Sequence, residues 1–288
     1  MPHLMLSWQY ALVAAGVLGL VAVAIRAGRL AARPAGHARA WALWGGVAWE
    51  AALLFGLYAL WQFAGSFAVM GTSGAVPRAR WLWQAERFLH LPSETAVQQP
   101  LLSHPLLIQA CNLYYDILHF PALGACLVWL YARHRAAYPR IRTTVALFTG
   151  ASLLIQLIPV APPRLLPTAD MVDTAVRYGQ SVYSWSGGFD ADELSAMPSV
   201  HVGWALIVAI AVITVSRSRW RWLAAAYPVI TLLVVVVTAN HFWLDGIAAG
   251  LLVALILAGQ RAVQGIRSGK SSGGRQAEPV RGEMSMRS

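Results

Sequence analysis

The chain has 288 residues, of which 58% are hydrophobic and only 12% are charged, and its mean hydropathy is +0.55. A soluble chain carries about 25% charged residues, so this composition excludes both a water-soluble globular protein and a disordered chain. The formal net charge of +10 would suit a nucleic-acid ligand, but the positions of the arginines along the chain explain it differently.

Seven segments are apolar over lengths close to that of a membrane span, about 17 to 25 residues. They lie at residues 6–25, 40–64, 112–132, 141–160, 199–216, 222–239 and 242–260. Only a turn near Asn240 separates the last two, which are short, so six spans are the alternative count. The sequence therefore predicts an all-α, polytopic membrane bundle of six to seven spans.

Basic residues are concentrated in alternate connections between these runs. Of the 22, four lie at 26–39, four at 133–142, three at 217–221 and six after residue 260. Because the positive-inside rule assigns such connections to the cytoplasm, we expect an integral plasma-membrane protein with its N-terminus outside and its C-terminus cytoplasmic. The excess of arginine then indicates topology and not nucleic-acid binding. No basic residue precedes the first run, which favours a retained span over a signal peptide.

Two connections on the predicted outer side have unusual compositions. Residues 78–110 combine tryptophan with arginine, which predicts a helix lying on the outer membrane surface. Residues 161–198 form a long polar loop, and loops of that length usually carry function. We divide the chain into N-terminal spans with the interfacial helix (1–111), a catalytic core (112–260) and a disordered, basic cytoplasmic tail (261–288).

The predicted topology brings distant polar residues to the outer end of the bundle. Arg164 follows the fourth run, and His201 and His241 each begin a later run at the same face. Asp245 lies four residues after His241, so the two side chains share one face of a helix. A carboxylate in that position can hold an imidazole in one tautomer and raise the nucleophilicity of its other nitrogen.

The motifs around these residues resemble a known family. The sequence contains APPRLLP at 161–167, MPSVH at 197–201 and NHFWLD at 240–245. These resemble the phosphatidic acid phosphatase type 2 superfamily, whose pattern is K-x6-RP, then PSGH, then SR-x5-H-x3-D. The PS-x-H part of the second motif and the H-x3-D part of the third match here, in order and at plausible separation, at Pro198, Ser199, His201, His241 and Asp245. The resemblance covers roughly residues 112–260.

The sequence departs from the family pattern at several positions. Leu157 and Val235 stand where the family has Lys and Arg, Leu165 replaces a proline, and Val200 replaces the glycine of PSGH. Two of the three cations are therefore absent. The membrane branch that contains inositol phosphorylceramide synthase, with sphingomyelin synthase as a cousin, resembles this chain most.

The resemblance implies catalytic roles for three residues. His241 would attack phosphorus and form a phosphohistidine, and Asp245 would orient it. His201 would give a proton to the leaving oxygen and later take one from the acceptor. A covalent intermediate divides one difficult displacement into two easier steps, and the family uses no metal or other cofactor.

The resemblance also implies groups that hold the substrate. Arg164, the Ser199 hydroxyl and the backbone amide near Val200 would bind the phosphoryl oxygens. His119 and Asp116, three residues apart near the outer end of the third run, either contact the substrate or satisfy each other.

The leading hypothesis is a headgroup phosphotransferase that uses a lipid phosphate or phospholipid as donor and inositol or another alcohol as acceptor. A site with one matched cation suits a singly charged phosphodiester better than a nearly dianionic monoester. The alternative is a lipid phosphate phosphatase or diphosphatase, for example on a polyprenyl phosphate, with water as acceptor.

Two other kinds of protein stay open. A metal site could combine the two histidines and Asp245 with an acidic residue of the loop, such as Asp190, Asp192 or Glu193, but Arg164 would repel the metal. A transporter or binding protein with a degenerate site would carry charges at the bilayer centre. Glu50 is the one such charge, and we expect it to pair with a polar side chain such as Gln156.

Overall fold

The computed structural model describes residues 7–31, 38–68, 74–181 and 191–273. Within these residues the regular structure is helical apart from an isolated bridge between Val160 and Ser195. The α-helices are α1 (Trp8–Ala31), α2 (Ala38–Ala68), α3 (Ala75–Phe88), α4 (Glu94–Leu101), α5 (Pro105–Ile117), α6 (His119–Arg133), α7 (Tyr138–Gln156), α8 (Thr174–Arg177), α9 (Val200–Val215), α10 (Ala226–Val237) and α11 (Trp243–Gly273). Short 3-10 turns occur at Pro163–Leu165, Pro167–Ala169, Ala191–Leu194 and Arg219–Ala225. The predicted all-α class is confirmed for the described residues.

Several helices are suited to a membrane by their length and composition. Among the described residues, three are long and apolar enough to cross one, and a bent pair of helices would make a fourth. The three are Trp8–Gly28, Arg219–Val237 and Trp243–Ile266, and the pair is Pro105–Ile117 with His119–Arg133. The other predicted runs fall mainly on α2, α7 and α9, and the apolar helices Trp44–Leu60 and Val200–Val215 are shorter than a full span. These helices indicate a membrane protein, and the count of six to seven spans stays a prediction.

The third predicted run, 112–132, contains a break. α5 ends at Ile117 and α6 begins at His119, with an angle of 50° between them. Pro121 lies in the first turn of α6, where its ring has no N–H and would collide, in a continuous helix, with the carbonyl of Ile117 four residues earlier. The helix therefore bends here and separates Asp116, near the end of α5, from His119 at the start of α6.

The segment predicted as one outer helix over 78–110 is instead three helices. α3 ends before His90, whose φ of 55° cannot continue a helix. Ser93 then caps α4, since its side chain accepts a hydrogen bond from the backbone N–H of Ala96. Pro105 starts α5 at a position where its missing N–H costs nothing. Whether this segment lies at the membrane surface stays a prediction.

α3 packs against the loop that carries Arg164. The face of α3 that includes Ala79 and Leu82 packs in an apolar cluster with Leu166 and Phe242. Arg78 Nε donates a hydrogen bond of 2.6 Å to the carbonyl oxygen of Pro159 at the end of the fourth run. Residues 75–88 therefore form part of the structure that supports the histidine motifs.

Glu50 of α2 contacts two residues of α7, but neither of them is the expected partner, Gln156. Its carboxylate binds Arg142 and accepts a hydrogen bond of 2.9 Å from the Tyr138 hydroxyl. Gln156, the expected partner, donates instead to the carbonyl of Pro198 at 3.4 Å. The expected pairing was wrong because Glu50 lies near the basic end of α7, whereas Gln156 lies at the opposite end.

The C-terminal helix is longer than predicted. α11 continues to Gly273, so residues 261–273 of the predicted disordered tail are helical. The stretch Gln-Arg-Ala-Val-Gln at 260–264 consists largely of good helix formers, and no proline interrupts the helix before its end at Gly273. Residues 274–288 lie outside the described residues.

Candidate functional site

The Pro-Ser-Val-His motif forms the start of α9. Ser199 is fully buried and caps the helix, since its hydroxyl accepts a hydrogen bond of 3.4 Å from the backbone N–H of Val202. The backbone N–H of Ser199 donates to the carbonyl oxygen of Asp245 at 3.1 Å, which joins the two motifs directly. Val200 packs against the apolar core of the bundle. The binding of substrate by Ser199 and Val200 stays a prediction.

A tight turn between α10 and α11 places His241. Ala239 adopts a φ of 57° there, and the backbone N–H groups of Asn240 and His241 both donate to the carbonyl oxygen of Val235, at 3.0 and 3.1 Å. Val235 is itself fully buried in the apolar core. The position where the family carries Arg therefore supports the turn through its backbone, and a charged side chain there would be buried.

The hydrogen bonds of His241 select its tautomer. Its Nδ1 lies 2.7 Å from the carbonyl oxygen of Ala196 and 3.4 Å from Oδ2 of Asp245. A carbonyl oxygen can only accept, so Nδ1 carries the proton and the lone pair of the neutral ring is on Nε2. Nε2 is buried and has no hydrogen-bond partner among the described residues.

Asp245 also has a second role, in the helix itself. It is fully buried, and its Oδ2 accepts a hydrogen bond of 2.8 Å from the backbone N–H of Phe242. This caps the N-terminus of α11, where backbone N–H groups lack partners within the helix. The sequence motif predicted that Asp245 would orient His241. It did not predict the closer contact with the carbonyl of Ala196, because this acceptor belongs to the backbone 45 residues away and does not depend on residue type.

His201 lies among aromatic rings next to His241. The ring centroids of His201 and His241 are 5.8 Å apart. Tyr115 lies on His201 with centroids 4.3 Å apart, and His119 meets His201 edge-on at 4.6 Å. Nδ1 of His201 is buried and has no hydrogen-bond partner among the described residues. The structure thus brings together the two histidines predicted to react, together with Tyr115, which sequence reasoning missed.

His119 and Asp116 contact different groups, so they do not satisfy each other. His119 is almost fully buried, and its Nδ1 lies 3.2 Å from the hydroxyl of Tyr227. Asp116 instead lines a cleft that is also bounded by Arg164 and Asn240. The break at Pro121 explains the difference, because the two residues do not share one helix.

Arg164 is buried between carboxylates. Its backbone N–H donates to the carbonyl oxygen of Ala239, and its side chain binds the amide oxygen of Asn240. The guanidinium also lies 3.3 Å from Asp173 and 3.2 Å from Glu193, measured between nitrogen and carboxylate oxygen. Arg164, the one cation of the family pattern that this sequence retains, therefore lies next to the turn that carries His241, and nearby carboxylates already balance its charge.

The acidic loop residues suggested as metal ligands do not form a metal site with the two histidines and Asp245 among the described residues. Glu193 binds Arg164, and Asp190 and the side chain of Asp192 lie outside the described residues. Among the described residues, no three His, Cys, Asp or Glu side chains converge on a point where a metal ion would bind.

Comparison with known proteins identifies the family of this site. The sequence profile of the PAP2 superfamily matches residues 80–259, a range that includes the cleft, the two histidines and Asp245. A search of curated proteins and a search of solved structures found no match.

Proposed function

The chain belongs to the PAP2 superfamily, and from that membership and the geometry of the histidine pair we propose that it is a membrane-embedded lipid phosphotransferase. Membership indicates a phosphatase- or phosphotransferase-type enzyme with a phosphate-containing substrate. The finer proposal is that the enzyme moves a phosphate-containing headgroup to an alcohol acceptor through a phosphohistidine. The observation that carries it is the buried Nε2 of His241, which has no hydrogen-bond partner in the part of the chain that the structure describes, while Nδ1 is held by the carbonyl of Ala196.

In the first step the lone pair of His241 Nε2 forms a bond to phosphorus, and the bond from phosphorus to the leaving oxygen breaks. The hydrogen bond from Nδ1 to Ala196 and the nearby Asp245 carboxylate stabilise the positive charge that develops on the imidazole. His201, with its ring 5.8 Å from that of His241, supplies the proton that the leaving oxygen takes up.

In the second step an alcohol oxygen attacks the phosphorus, and its proton passes to His201. The N–P bond then breaks and returns the lone pair to His241. With water in place of the alcohol, the same steps produce hydrolysis, so a lipid phosphate phosphatase or diphosphatase is the alternative function. The two functions differ only in the acceptor that reaches the phosphohistidine.

The charges around Arg164 favour a phosphodiester as substrate. A phosphomonoester carries about −1.5 to −2 charges at neutral pH, whereas a diester carries one. Asp173 and Glu193 already balance the guanidinium, and Asp116 lines the same cleft. A second negative charge on the substrate is therefore repelled more than it is neutralised in this poorly solvated region.

The purified protein should therefore process phosphodiester lipids faster than the corresponding monoesters. As the concentration of an alcohol acceptor such as inositol is raised, the ratio of transferred to hydrolysed product should rise, because the acceptor and water compete for one phosphohistidine. If free phosphate from a monoester is the only product and diesters are inert, the phosphatase function is correct and the transferase is wrong.

A pair of variants tests the charge argument within this experiment. Asp173→Asn removes a carboxylate from the guanidinium of Arg164, so the rate on monoesters relative to diesters should increase. Asp170→Asn removes the same charge from an exposed position three residues away, and asparagine also tolerates the φ of 50° found there. This control should leave the preference unchanged, and an equal shift in both variants would contradict the argument.

We also propose that the site faces the extracytoplasmic side of the plasma membrane, which the arginine distribution supports. In a background without Cys111 and Cys126, Val176→Cys in α8 should react with a membrane-impermeant thiol reagent on intact cells. Ala136→Cys, in the connection after α6, should react only after permeabilisation. Both positions are exposed on the protein, and the reverse pattern would overturn this orientation.

A further inference from the structure

A buried carboxyl group of α3 holds the first turn of the helix that follows His241. Glu86 is fully buried, and its Oε1 accepts a hydrogen bond of 2.8 Å from the backbone N–H of Leu244. Leu244 immediately precedes Asp245, and its N–H is one of the amides at the start of α11 that have no partner within the helix. Glu86 therefore completes the capping of α11 that Asp245 begins at Phe242.

A second buried carboxyl group lies next to this one. Glu94 of α4 is 2% exposed, and Nη2 of Arg87 lies 3.0 Å from its Oε2 and 3.9 Å from Oε2 of Glu86. Two carboxyl groups held this close disfavour a negative charge on both at once. Arg87 is closer to Glu94, which leaves the proton on Glu86.

Burial is the main reason why Glu86 keeps this proton. Burial and the neighbouring carboxyl groups of Glu94 and Asp245 together raise the pKa of Glu86 to about 9, although the hydrogen bond from Leu244 works in the opposite direction. At neutral pH Glu86 is thus a neutral acid that accepts a hydrogen bond from α11.

We propose that Glu86 is a positioning residue, which holds the first turn of α11, and with it Asp245 and His241, in the arrangement that the reaction needs. The inference rests on the proposed function for its kinetic consequences. A second bond joins the same elements, since Trp243 Nε1 donates to the carbonyl oxygen of Pro92 at 2.9 Å, in the turn between α3 and α4. The segment 75–101 then acts on the site through α11, without contacting the substrate.

The arrangement has a definite dependence on pH. When the pH rises through the pKa of Glu86, its carboxyl group loses its proton and a new negative charge faces Glu94 and Asp245. Arg87, which already pairs with Glu94 and lies 3.9 Å from Glu86, balances only one of these charges. Turnover should therefore be intact at neutral pH and fall as the pH rises through about 9.

Two variants of Glu86 test the inference when kcat and KM are measured across the pH range. Glu86→Gln keeps an acceptor for the N–H of Leu244 but cannot ionise, so it should retain turnover and lose the alkaline fall. Glu86→Ala removes this hydrogen bond, and kcat should drop by about 100-fold, the effect of a small misplacement of reacting groups, with little change in KM. An alkaline fall that is unchanged in Glu86→Gln, or a normal kcat in Glu86→Ala, would overturn the proposal.

A matched control separates positioning from general stability. Gln98 of α4 also ties this segment to the rest of the protein, through bonds of 2.9 Å to Val172 and 2.8 Å to Val237. Gln98→Ala should lower the thermal midpoint but leave the alkaline fall at the wild-type pH, because it does not change Glu86. If Gln98→Ala moves the fall as Glu86→Gln does, the effect is one of stability and the proposal is wrong.

Hydrogen exchange provides a result that does not depend on the reaction. Amides of residues 242–246 should exchange faster in Glu86→Ala than in the wild-type protein and at the wild-type rate in Glu86→Gln. If the wild-type protein transfers no phosphoryl group but shows this pattern, the proposed function fails while the role of Glu86 in placing α11 stands. If the exchange is the same in all three proteins, the role of Glu86 fails whatever the activity.

Discussion

His241→Ala is expected to abolish turnover together with any acid-labile phosphoenzyme. His241 is the proposed nucleophile, and alanine offers no nitrogen for a bond to phosphorus. General acid–base assistance is worth about 10²–10⁴-fold, so losing the nucleophile should cost at least as much. The measurement is a rapid quench with a lipid labelled at phosphorus, followed by separation of the protein under alkaline conditions, in which a phosphohistidine survives.

The control for this variant is His104→Ala. His104 is exposed before α5, and its side chain makes no capping hydrogen bond, so its removal should leave both turnover and the labelled protein unchanged. A His241→Ala protein that still acquires an acid-labile label would show that another residue is the nucleophile. A label that is stable in acid would point to an ester on a hydroxyl group.

His201→Ala should slow turnover by about 10²–10⁴-fold on a natural lipid, since His201 is the proposed general acid and base. The loss should depend on the leaving group. An alkoxide leaves poorly without a proton, whereas a nitrophenolate leaves without one, so a nitrophenyl phosphodiester should still label His241. The measurement compares the rate of labelling of His201→Ala and the wild-type protein with both kinds of donor.

This comparison distinguishes proton transfer from a structural role. Deleting the ring also removes the surface on which Tyr115 and His119 pack, and that loss would affect both donors equally. His201→Ala should therefore show a much smaller defect with the nitrophenyl donor than with the lipid. Equal defects with both donors would assign His201 to packing or substrate binding.

Local patterns in the sequence were enough to predict the class and the family. Long apolar runs are a property of consecutive residues, and such a run is predicted to cross a bilayer as a helix, in which every backbone polar group is bonded within the segment. The short motifs at 197–201 and 240–245 also carry their information locally. They predicted the family, and the structure brings their histidines to a centroid distance of 5.8 Å.

Contacts between distant segments were decided only in the tertiary structure. The tautomer of His241 depends on the carbonyl of Ala196, and the charge balance of Arg164 depends on Asp173 and Glu193. The raised pKa of Glu86 depends on its burial and on the nearby carboxyl group of Glu94. Every residue has a backbone carbonyl, and carboxylates in a loop follow no periodic pattern. The partner of either group therefore cannot be predicted from the sequence.

The sequence by itself thus predicted which residues would carry out phosphoryl transfer and that they would lie together at one end of the bundle. The tertiary structure decided which nitrogen of His241 carries the lone pair, how far carboxylates already balance the charge of Arg164, and which segment packs against the histidine motifs. The reason is physical: residue type determines intrinsic reactivity, whereas burial and hydrogen-bond partners, which decide protonation and orientation, exist only after distant segments have packed together.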